Sequence, residues 1–439
     1  MTTICRALRI GSRSTPFSRS TTLRTTPGNS LSAADSNMTA TDTERAADIV
    51  VEHAQSKQVK VDGRPAHHVN NTSTRFRNPW SSFRYQELSY WFRAFTAQAI
   101  DGPKVPKDLS TKIPSRKPDW GAGTAPEGIK ATWLGHACYL IELPTPKGAI
   151  RGPRILFDPV LSNRCSPVQW AGPARLTPAP CPAEDIPAVD AICISHNHYD
   201  HMDLPTIRTV YKAHQSHVFA PLGSKRELQS IGIADSHIHI LDWWDARTVS
   251  LALPGTAADR PSTKAGFVVT CTPAQHTAGR TAFDRWQALW SSWAIEEVLD
   301  PAAESDSVDP ARTGPRKVYF SGDTGYRTVR EGEDEDKVPR CPAFAEIGER
   351  FGGFDLALLP IGAYAPRWMW SNLHASPSDA VQIFKDVRAK KALAMHWGTW
   401  ILTQEPFLEP PALLKKECAK EGISETDFDI CGLGETRIV

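Results

Sequence analysis

Short apolar runs separated by polar loops recur along the chain from Gly128 onward. Several contain β-branched or aromatic residues, which is typical of strands. The predicted strands are Ala131–Leu134, Tyr139–Leu143, Arg154–Phe157, Ala191–Ser195, Gly266–Thr272, Lys317–Ser321, Leu356–Pro360 and Ala392–Met395. The predicted helices are Pro205–Ala213, Ser224–Ser230, Ser378–Ala389 and Pro411–Glu421. Strands that alternate with helices predict a layered α/β domain in which helices cover the faces of a sheet.

A different pattern occupies the region before this domain. Aromatic and apolar residues recur at a spacing of three to four between Pro79 and Phe95, which predicts one amphipathic helix. Its apolar face includes Trp91 and Phe92, and Arg84 and Arg93 flank it. One interpretation is a helix on a membrane surface, with Trp91 and Phe92 entering the headgroup region. The other is a helix packed on the main domain, and the sequence leaves both open.

The first 34 residues form a basic segment rich in Ser and Thr. Arginines stand at positions 6, 9, 13, 19 and 24, and no acidic residue precedes Asp35. This composition favours a mitochondrial transit peptide over a secretory signal, and a disordered tail is the alternative. We therefore predict a leader and disordered linker at residues 1–60, a helical and connecting segment at 61–125, and the main domain at 126–439.

Composition excludes several classes of protein. The chain has 439 residues and a formal net charge of +1, so no overall basic field indicates nucleic-acid binding. Nine cysteines without a CxxC pair argue against a disulfide scaffold or a cysteine zinc ribbon. The uncharged stretches fall short of the ~18–20 apolar residues of a membrane span. Two acidic insertions, Asp300–Arg316 and Glu331–Lys337, are predicted to be solvated loops.

The strongest chemical signal follows the predicted strand Ala191–Ser195. Four metal-binding side chains, His196, His198, Asp200 and His201, lie within six residues there. Burying them together without a cation would leave polar groups unsatisfied. In an extended loop His196 and His198 point the same way and can share one cation, while Asp200 and His201 turn toward a second. Imidazoles and carboxylates are ligands that zinc accepts in sites left open to substrate.

Three later predicted strands also lead into a metal-binding residue. The first is followed by His276, the second by Asp323 and the third by His396. Small residues around Asp323 allow a sharp turn, so that its carboxylate can reach between two cations. Because a rigid sheet edge holds side chains more accurately than a mobile loop, these residues complete a predicted two-metal site.

These motifs resemble those of the metallo-β-lactamase superfamily, whose fold is an αββα sandwich. H-x-H-x-D-H, then a His, a Gly-Asp and a last His is the ligand order of that superfamily. The resemblance is closer still to the phospholipases D that hydrolyse N-acyl-phosphatidylethanolamines, and it extends from about Gly128 to Trp400. The phrases that carry it are LGHA at 134–137, FDP at 157–159, SHNHYDHMD at 195–203, LDWWD at 241–245, TPAQH at 272–276, SGDTGY at 321–326, PIGAYAPRW at 360–368 and HWGT at 396–399.

The resemblance implies a hydrolase with two Zn²⁺ ions. The implied ligands are His196, His198 and His276 for one ion, Asp200, His201 and His396 for the other, and Asp323 as the bridge between them. A hydroxide that bridges the two ions would attack the phosphorus of an N-acyl-phosphatidylethanolamine, and the products would be an N-acylethanolamine and phosphatidic acid. The expected catalytic residues are Asp200, Asp323 and His374.

Further roles are implied around this centre. His374 and Tyr364 are expected to contact the substrate, and Arg367 either shapes the same loop or anchors a structural ion pair. His136 and Asp158 are expected to support and orient the metal ligands. Trp286, Trp290 and Trp293 recur at helical spacing and are predicted to be core residues, or else to line a lipid groove.

Alternative functions and partners stay open at this point. A lactonase-like or phosphodiesterase metallo-hydrolase of a soluble substrate is the main alternative, and a non-catalytic metal-binding module is another. The expected partners are a phospholipid substrate and a peripheral membrane surface, with no nucleic acid, and a homodimer is a further expectation. The expected location is a mitochondrial membrane surface, with a cytoplasmic membrane surface as the alternative.

Overall fold

The computed structural model describes residues 44–46, 48–55, 64–87, 89–90, 93, 105–256, 262–281, 283–299 and 314–439. The strands are β1 Ile49–His53, β2 Lys130–Trp133, β3 Tyr139–Glu142, β4 Arg154–Phe157, β5 Ala191–Cys193, β6 His217–Pro221, β7 Ile238–Leu241, β8 Ala246–Leu253, β9 Thr263–Thr272, β10 Ser292–Val298, β11 Lys317–Phe320, β12 Phe354–Pro360, β13 Ala389–Met395, β14 Phe428–Asp429 and β15 Thr436–Ile438. Helices span Leu109–Lys112, Leu204–His214, Lys225–Ser230, Ala343–Phe351, Arg367–Trp370, Pro377–Asp386 and Glu409–Lys420, with 3₁₀ turns at Ala183–Asp185 and Asp235–His237.

Two mixed sheets form the centre of the fold. Within the described residues, one sheet has the order β1-β8-β9-β10-β11-β12-β13-β14 and the other has the order β15-β2-β3-β4-β5-β6-β7. Their inner faces meet in one apolar core, where the Phe157 ring of β4 stacks on the Phe320 ring of β11 at 4.5 Å between centroids. Strand β4 is buried along its whole length because both of its faces are covered.

Helices cover the outer faces of both sheets. Ile207 and Val210 of the helix Leu204–His214 belong to a second core cluster with Ile192 of β5. On the other side, Ile347 and Ile383 of two later helices join the main core beneath the eight-stranded sheet. The predicted αββα sandwich is therefore confirmed.

Strand direction brings the predicted ligand loops to one edge. β9 and β11 are both antiparallel to β10, so they run in the same direction, and β12 and β13 are parallel to β11. The carboxyl ends of β9, β11 and β13 therefore lie at one edge of the eight-stranded sheet. The loop after β5 reaches the same place from the opposite sheet.

The helix predicted over Pro79–Phe95 is confirmed at the described residues 89, 90 and 93, but it is wrong for residues 79–87, which form a turn and an irregular segment. Its polar groups bind the main domain instead of the preceding helical turn. The Arg84 backbone N–H donates to Thr328 Oγ1 at 2.9 Å, and Ser82 Oγ donates to Gln275 Oε1 at 2.6 Å. Trp91 and Phe92 lie outside the described residues, so their membrane role stays a prediction.

One of the predictions about flexible segments is also corrected. Ile49–His53, placed in a disordered linker, pair antiparallel with β8 and extend its sheet. Most of the leader and residues 300–313 lie outside the described residues, and the three-part division otherwise stays a prediction. The acidic run Glu331–Lys337 is an irregular and mostly exposed segment, as predicted, although Glu333 pairs with Arg84 and Glu335 pairs with Arg367.

The helical spacing of the three tryptophans does not correspond to a helix. Trp293 lies on β10, and Trp286 and Trp290 precede it in an irregular loop. Trp290 and Trp293 are core residues, as predicted, and Trp286 is only partly buried. In the part of the chain that the structure describes, no helix has both the length and the apolar character to cross a bilayer.

Candidate metal centre

Three imidazoles converge where the loop after β5 meets the end of β9. His196 Nε2 lies 2.8 Å from His198 Nδ1, which lies 3.4 Å from His276 Nε2. We call His196, His198 and His276 the imidazole group. The outer nitrogens are held by neighbours: His276 Nδ1 donates to the Leu373 carbonyl at 2.8 Å, and His196 Nδ1 lies 2.9 Å from Ser195 Oγ. These contacts leave the inner nitrogens as lone-pair donors.

A second set of donors lies beside the first. His201 Nε2 and His396 Nε2 stand 3.5 Å and 3.7 Å from Asp200 Oδ2. We call Asp200, His201 and His396 the carboxylate group. Together with His136, their donor atoms fall within 4.8 Å of one another, which is close enough to surround one cation.

Asp323 stands between the two groups. Its Oδ1 lies 2.9 Å from His396 Nε2, and its Oδ2 lies 3.3 Å from His201 Nε2 and 3.7 Å from His276 Nε2. A single carboxylate therefore contacts members of both groups. The structure brings all seven predicted ligands together. The three that come from later strands, His276, Asp323 and His396, all face this centre.

The predicted supports lie directly behind the carboxylate group. His201 Nδ1 donates to Asp158 Oδ2 at 2.7 Å, which turns Nε2 toward the centre, and His136 Nε2 donates to Asp200 Oδ2 at 3.0 Å. Asp158 is fully buried and also accepts the Ser195 hydroxyl at 2.5 Å. Outer contacts of this kind fix the orientation of metal-binding histidines and carboxylates.

Backbone strain accompanies this arrangement. His136, Asp158 and His396 have φ angles of 52°, 38° and 63°, a left-handed conformation that costs a non-glycine residue about 1–3 kcal/mol. Hydrogen bonds hold the strained loops in place: the His396 N–H donates to the His136 carbonyl at 2.9 Å, and the His136 N–H donates to Thr399 Oγ1 at 2.8 Å.

The two groups differ in protonation. Burial lowers the pKa of His196 and His276 well below the ordinary value, and it lowers the pKa of His198 to about 4. These imidazoles are therefore neutral near pH 7. Burial also acts to lower the pKa of His201 and His396, but the nearby carboxylates, Asp323 foremost, outweigh it. The pKa of His201 rises well above its usual value and that of His396 rises to about 9.

Several buried donor atoms fit a bound cation better than they fit one another. Among the described residues, His201 Nε2, His396 Nε2 and Asp323 Oδ1 lie within contact distance of ionisable neighbours, yet none has a hydrogen bond of acceptable geometry. Convergent but misaligned donors are what a cation between them would satisfy. Imidazole nitrogens with carboxylate oxygens suit divalent metals of the zinc type, so the donor set indicates a divalent metal.

The substrate-side predictions have separate outcomes. His374 Nδ1 lies 3.7 Å from Asp323 Oδ2, beside both groups, and burial lowers its pKa to about 4. Tyr364 is buried and its hydroxyl donates to Glu409 at 2.6 Å, so its contact with substrate stays a prediction. Arg367 pairs with Asp379 at 2.6 Å as well as with Glu335. Of its two predicted roles, these contacts correspond to the anchor of a structural ion pair.

A cleft of about 530 Å³ opens beside the imidazole group. Its lining combines His198, His276 and His374 with Arg285 and Trp370. Arg285 and Trp370 also line a neighbouring cleft of about 390 Å³, whose other walls are mainly aromatic and apolar: Phe83, Tyr85, Gln86, Trp286, Met369, Asn372 and Leu373. The two clefts adjoin where they share Arg285, Trp370 and Leu373, and we call the pair the groove. Its outer cleft is lined in part by Tyr85, which is 62% exposed.

Sequence reasoning missed residues that reach the centre from the N-terminal segment. Asn78 is buried and its Nδ2 donates to the His276 carbonyl at 2.8 Å. Arg285 was also missed, since it belongs to no motif. An Asn next to Pro79 carries no metal-binding signal, and only the fold reveals its contact with a residue 198 positions away.

Comparison with known proteins matches the same part of the chain. A family model described as a beta-lactamase superfamily domain matches residues 153–397, a range that includes all seven donors. A Caenorhabditis elegans protein named N-acyl-phosphatidylethanolamine-hydrolyzing phospholipase D 1 is 35% identical over 312 residues, which cover 70% of this chain and 75% of that protein. A Saccharomyces cerevisiae protein named N-acyl-phosphatidylethanolamine-hydrolyzing phospholipase D, mitochondrial, is 28% identical over 380 residues, covering 78% and 70%.

Proposed function

Because this chain belongs to the beta-lactamase superfamily and, within it, to the family of N-acyl-phosphatidylethanolamine-hydrolysing phospholipases D, we propose that it cleaves N-acyl-phosphatidylethanolamines with two zinc ions. Family membership and the donor set make it a metal-dependent hydrolase. One observation carries the finer proposal: two of the seven converging donors, His198 and His276, line the inner cleft of a groove whose outer cleft is mainly aromatic and apolar.

The reaction is hydrolysis of the phosphodiester on its ethanolamine side. A water oxygen bonds to phosphorus, the bond from phosphorus to the ethanolamine oxygen breaks, and that oxygen leaves as the hydroxyl of an N-acylethanolamine. The second product is phosphatidic acid. Bound divalent cations would supply a water of lowered pKa and positive charge opposite the phosphoryl oxygens.

The residues of the chain orient this reaction. Asp200 Oδ2, held by His136, lies at the centre as an acceptor for the proton that the attacking water loses. His374 stands at the boundary between the donors and the cleft, where its imidazole can contact a phosphate oxygen or the leaving oxygen. The Arg285 side chain lines both clefts and offers positive charge to a phosphodiester.

The aromatic groove supports a lipid substrate over a soluble one. Phe83, Tyr85 and Trp286 pack edge to face, with ring centroids 5.1–5.8 Å apart, and form an apolar wall of the outer cleft. An acyl chain would bury apolar surface there, at roughly 25 cal/mol per Å². A lactone or another small soluble substrate would fill only the inner cleft.

We propose that the mouth of this groove faces a membrane surface. Phe283 is 92% exposed and stands in the loop that supplies Thr281 and Arg285 to the inner cleft. An exposed aromatic beside arginine suits the boundary between headgroups and acyl chains. Phe283→Ala should reduce binding to anionic phospholipid vesicles and leave hydrolysis of a dispersed short-chain substrate unchanged. Trp170→Ala is the matched control, because Trp170 is 83% exposed on another loop. Equal losses for both variants would remove the docking proposal.

Two observations support a mitochondrial location. The yeast relative is named mitochondrial, and the first 34 residues of this chain are basic and hydroxyl-rich. We therefore propose a mitochondrial location. A fluorescent protein fused after residue 60 should accumulate in mitochondria, and a fusion lacking residues 1–34 should not. A homodimer stays a prediction that gel filtration can test.

The decisive assay uses purified, zinc-reconstituted protein and vesicles containing N-acyl-phosphatidylethanolamine. Mass spectrometry should detect phosphatidic acid and N-acylethanolamine in equal amounts, and Asp323→Asn should abolish both. A panel of lactones and a soluble phosphodiester provides the comparison. Turnover of a lactone without turnover of the phospholipid, by protein of verified metal content, would replace this proposal with the lactonase alternative.

A further inference from the structure

A second cluster of metal-binding side chains lies outside the centre described above. His67 Nε2 stands 2.7 Å from Asp242 Oδ1, and His68 Nε2 stands 2.8 Å from Asp242 Oδ2. The two imidazoles come from the N-terminal segment 64–87, and Asp242 follows β7. Both histidine side chains are more than nine-tenths buried, and the Asp242 side chain is 17% exposed.

One contact in this cluster has the same character as those of the metal centre. His68 Nε2 is buried and close to Asp242, yet it has no hydrogen bond of acceptable geometry. Among the described residues, buried imidazole nitrogens in this state occur on His201 and His396, two members of the carboxylate group, and on His68. The other nitrogen of His68 lies 3.0 Å from Ser73 Oγ, so the ring is held with Nε2 facing inward.

The donor atoms of His67, His68 and Asp242 could hold a cation if they moved slightly apart. Metal–ligand bonds of about 2.0–2.2 Å place the donors of a tetrahedral site about 3.3 Å apart. The nitrogen–oxygen distances of 2.7 and 2.8 Å are shorter, but His196 and His198 of the imidazole group stand equally close, at 2.8 Å. The Trp243 ring stacks on His67 at 4.1 Å and closes one side of the cluster.

We propose that His67, His68 and Asp242 form a third divalent-cation site, separate from the centre described above. Two imidazoles and one carboxylate are a donor set that zinc accepts, with water as the remaining ligand. Because the cluster is buried against a tryptophan ring, a cation there would stay bound and would not contact the substrate. The proposal concerns metal content alone and does not depend on which substrate the enzyme hydrolyses.

Such a site would attach the N-terminal segment to the domain that contains the metal centre. Further along the same segment, Asn78 donates to the His276 carbonyl and Ser82 donates to Gln275. Asp242 is bonded to the backbone N–H of Trp243, whose indole N–H donates to the Trp290 carbonyl at 2.7 Å. A cation at His67, His68 and Asp242 would therefore stabilise the segment that braces the imidazole group.

The test counts zinc in the full-length protein after reconstitution with zinc chloride and removal of unbound metal. Elemental mass spectrometry should give three zinc ions per chain for the unmodified protein and two for His68→Gln. A His196→Ala/His396→Ala variant, disabled at the catalytic centre, should keep one ion. His217→Gln is the matched control, because His217 lies in a part-buried contact with His239 at 2.8 Å and should leave the count at three.

The outcomes separate this site from the catalytic one. Two ions in the unmodified protein would overturn the proposal, and the cluster would then be held by hydrogen bonds alone. Three ions in His68→Gln would also overturn it, because the third ion would then be bound elsewhere. If His68→Gln fails to fold, zinc-edge diffraction from the unmodified protein decides, through the presence or absence of a peak between His68 and Asp242. A third ion in a protein that does not hydrolyse phospholipid would refute only the proposed function.

Discussion

The two halves of the metal centre use different chemistry at the same sheet edge. The imidazole group consists of three neutral rings, two of which are held by Ser195 and by the Leu373 carbonyl. The carboxylate group contains Asp200 and two imidazoles that nearby carboxylates hold in the protonated form. The first half is ready to bind a cation near pH 7, whereas the second must release protons to do so. Adjacent sites in one cleft can therefore differ in affinity and in pH dependence.

The largest expected effect comes from the residue that contacts both halves. Asp323→Asn removes the negative charge between His201, His276 and His396, so both groups lose a shared anionic partner. We expect hydrolysis to fall on the order of 10³-fold or more, as measured by product formation at saturating zinc. Asp355→Asn is the control, since Asp355 pairs with Lys390 at 2.9 Å on β12. A loss below tenfold for Asp323→Asn would argue against its bridging position.

The difference in protonation predicts a difference in pH dependence. Below about pH 9, cation binding by the carboxylate group displaces protons from His201 and His396, so its apparent affinity should rise up to about 100-fold per pH unit if both protons leave together. The imidazole group should show no such rise above about pH 4, the pKa of His198. Competition with a chromogenic chelator between pH 6 and pH 8 measures both affinities. Equal slopes for the two sites would contradict the comparison.

The same pKa shift makes the metal-free protein sensitive to alkali. The pKa of His396 is about 9 in the folded protein and 6.5 is its ordinary value, so the folded state binds the proton more tightly. This contribution to stability is fully present below about pH 6.5 and is lost as the pH rises through 9. Urea unfolding of the metal-free protein should therefore give a lower free energy of unfolding at pH 9.5 than at pH 7. His396→Gln should reduce that difference.

A smaller effect should separate the supports of the two halves. Asp158→Asn replaces the carboxylate that orients His201, so the carboxylate group should lose about 10–100-fold in metal affinity. The imidazole group should change far less, although Ser195 connects Asp158 to His196. Titration of the metal-free variant with cobalt, followed by absorption, resolves the two sites. Parallel weakening of both would show that Asp158 supports the centre as a whole.

The smallest expected effect concerns the N-terminal segment. Asn78→Ala removes a hydrogen bond to the His276 carbonyl, worth about 0.5–1.5 kcal/mol, and should weaken the imidazole group by roughly 2–10-fold. The carboxylate group should be unaffected. Asn70→Ala is the control, because Asn70 lies on the same segment and its side chain bonds with the exposed Thr74. An identical effect from both variants would point to loosening of the whole segment.

The sequence was sufficient for the parts of the molecule built from local patterns. The run from His196 to His201 follows a strand, and His276, Asp323 and His396 follow three others, so pattern and motif order identified the residues that converge. The fully buried strand Arg154–Phe157 was also predicted with its observed bounds. A buried strand that ends in a metal-binding residue has a strong local signal, because an apolar run followed directly by such side chains is an uncommon pattern.

Long-range contacts decided the regions that the sequence did not predict. The spacing of aromatics in Pro79–Phe95 is helical, but residues 79–87 bind the main domain through Arg84 and Ser82 instead. The strand His217–Pro221 was missed because it is short, with only Val218, Phe219 and Ala220 between a histidine and a proline. The acidic run 331–337 is the solvated loop that was predicted, but its ion pair with Arg84 was not, because Arg84 lies almost 250 residues away.

Diffraction at the zinc absorption edge, from crystals of the zinc-reconstituted protein, tests the two-part centre most directly. Two anomalous peaks are expected about 3.5–4 Å apart, one among His196, His198 and His276 and the other among Asp200, His201 and His396, with Asp323 contacting both. A single peak within these seven side chains at full zinc loading, or peaks that leave either group empty, would contradict it.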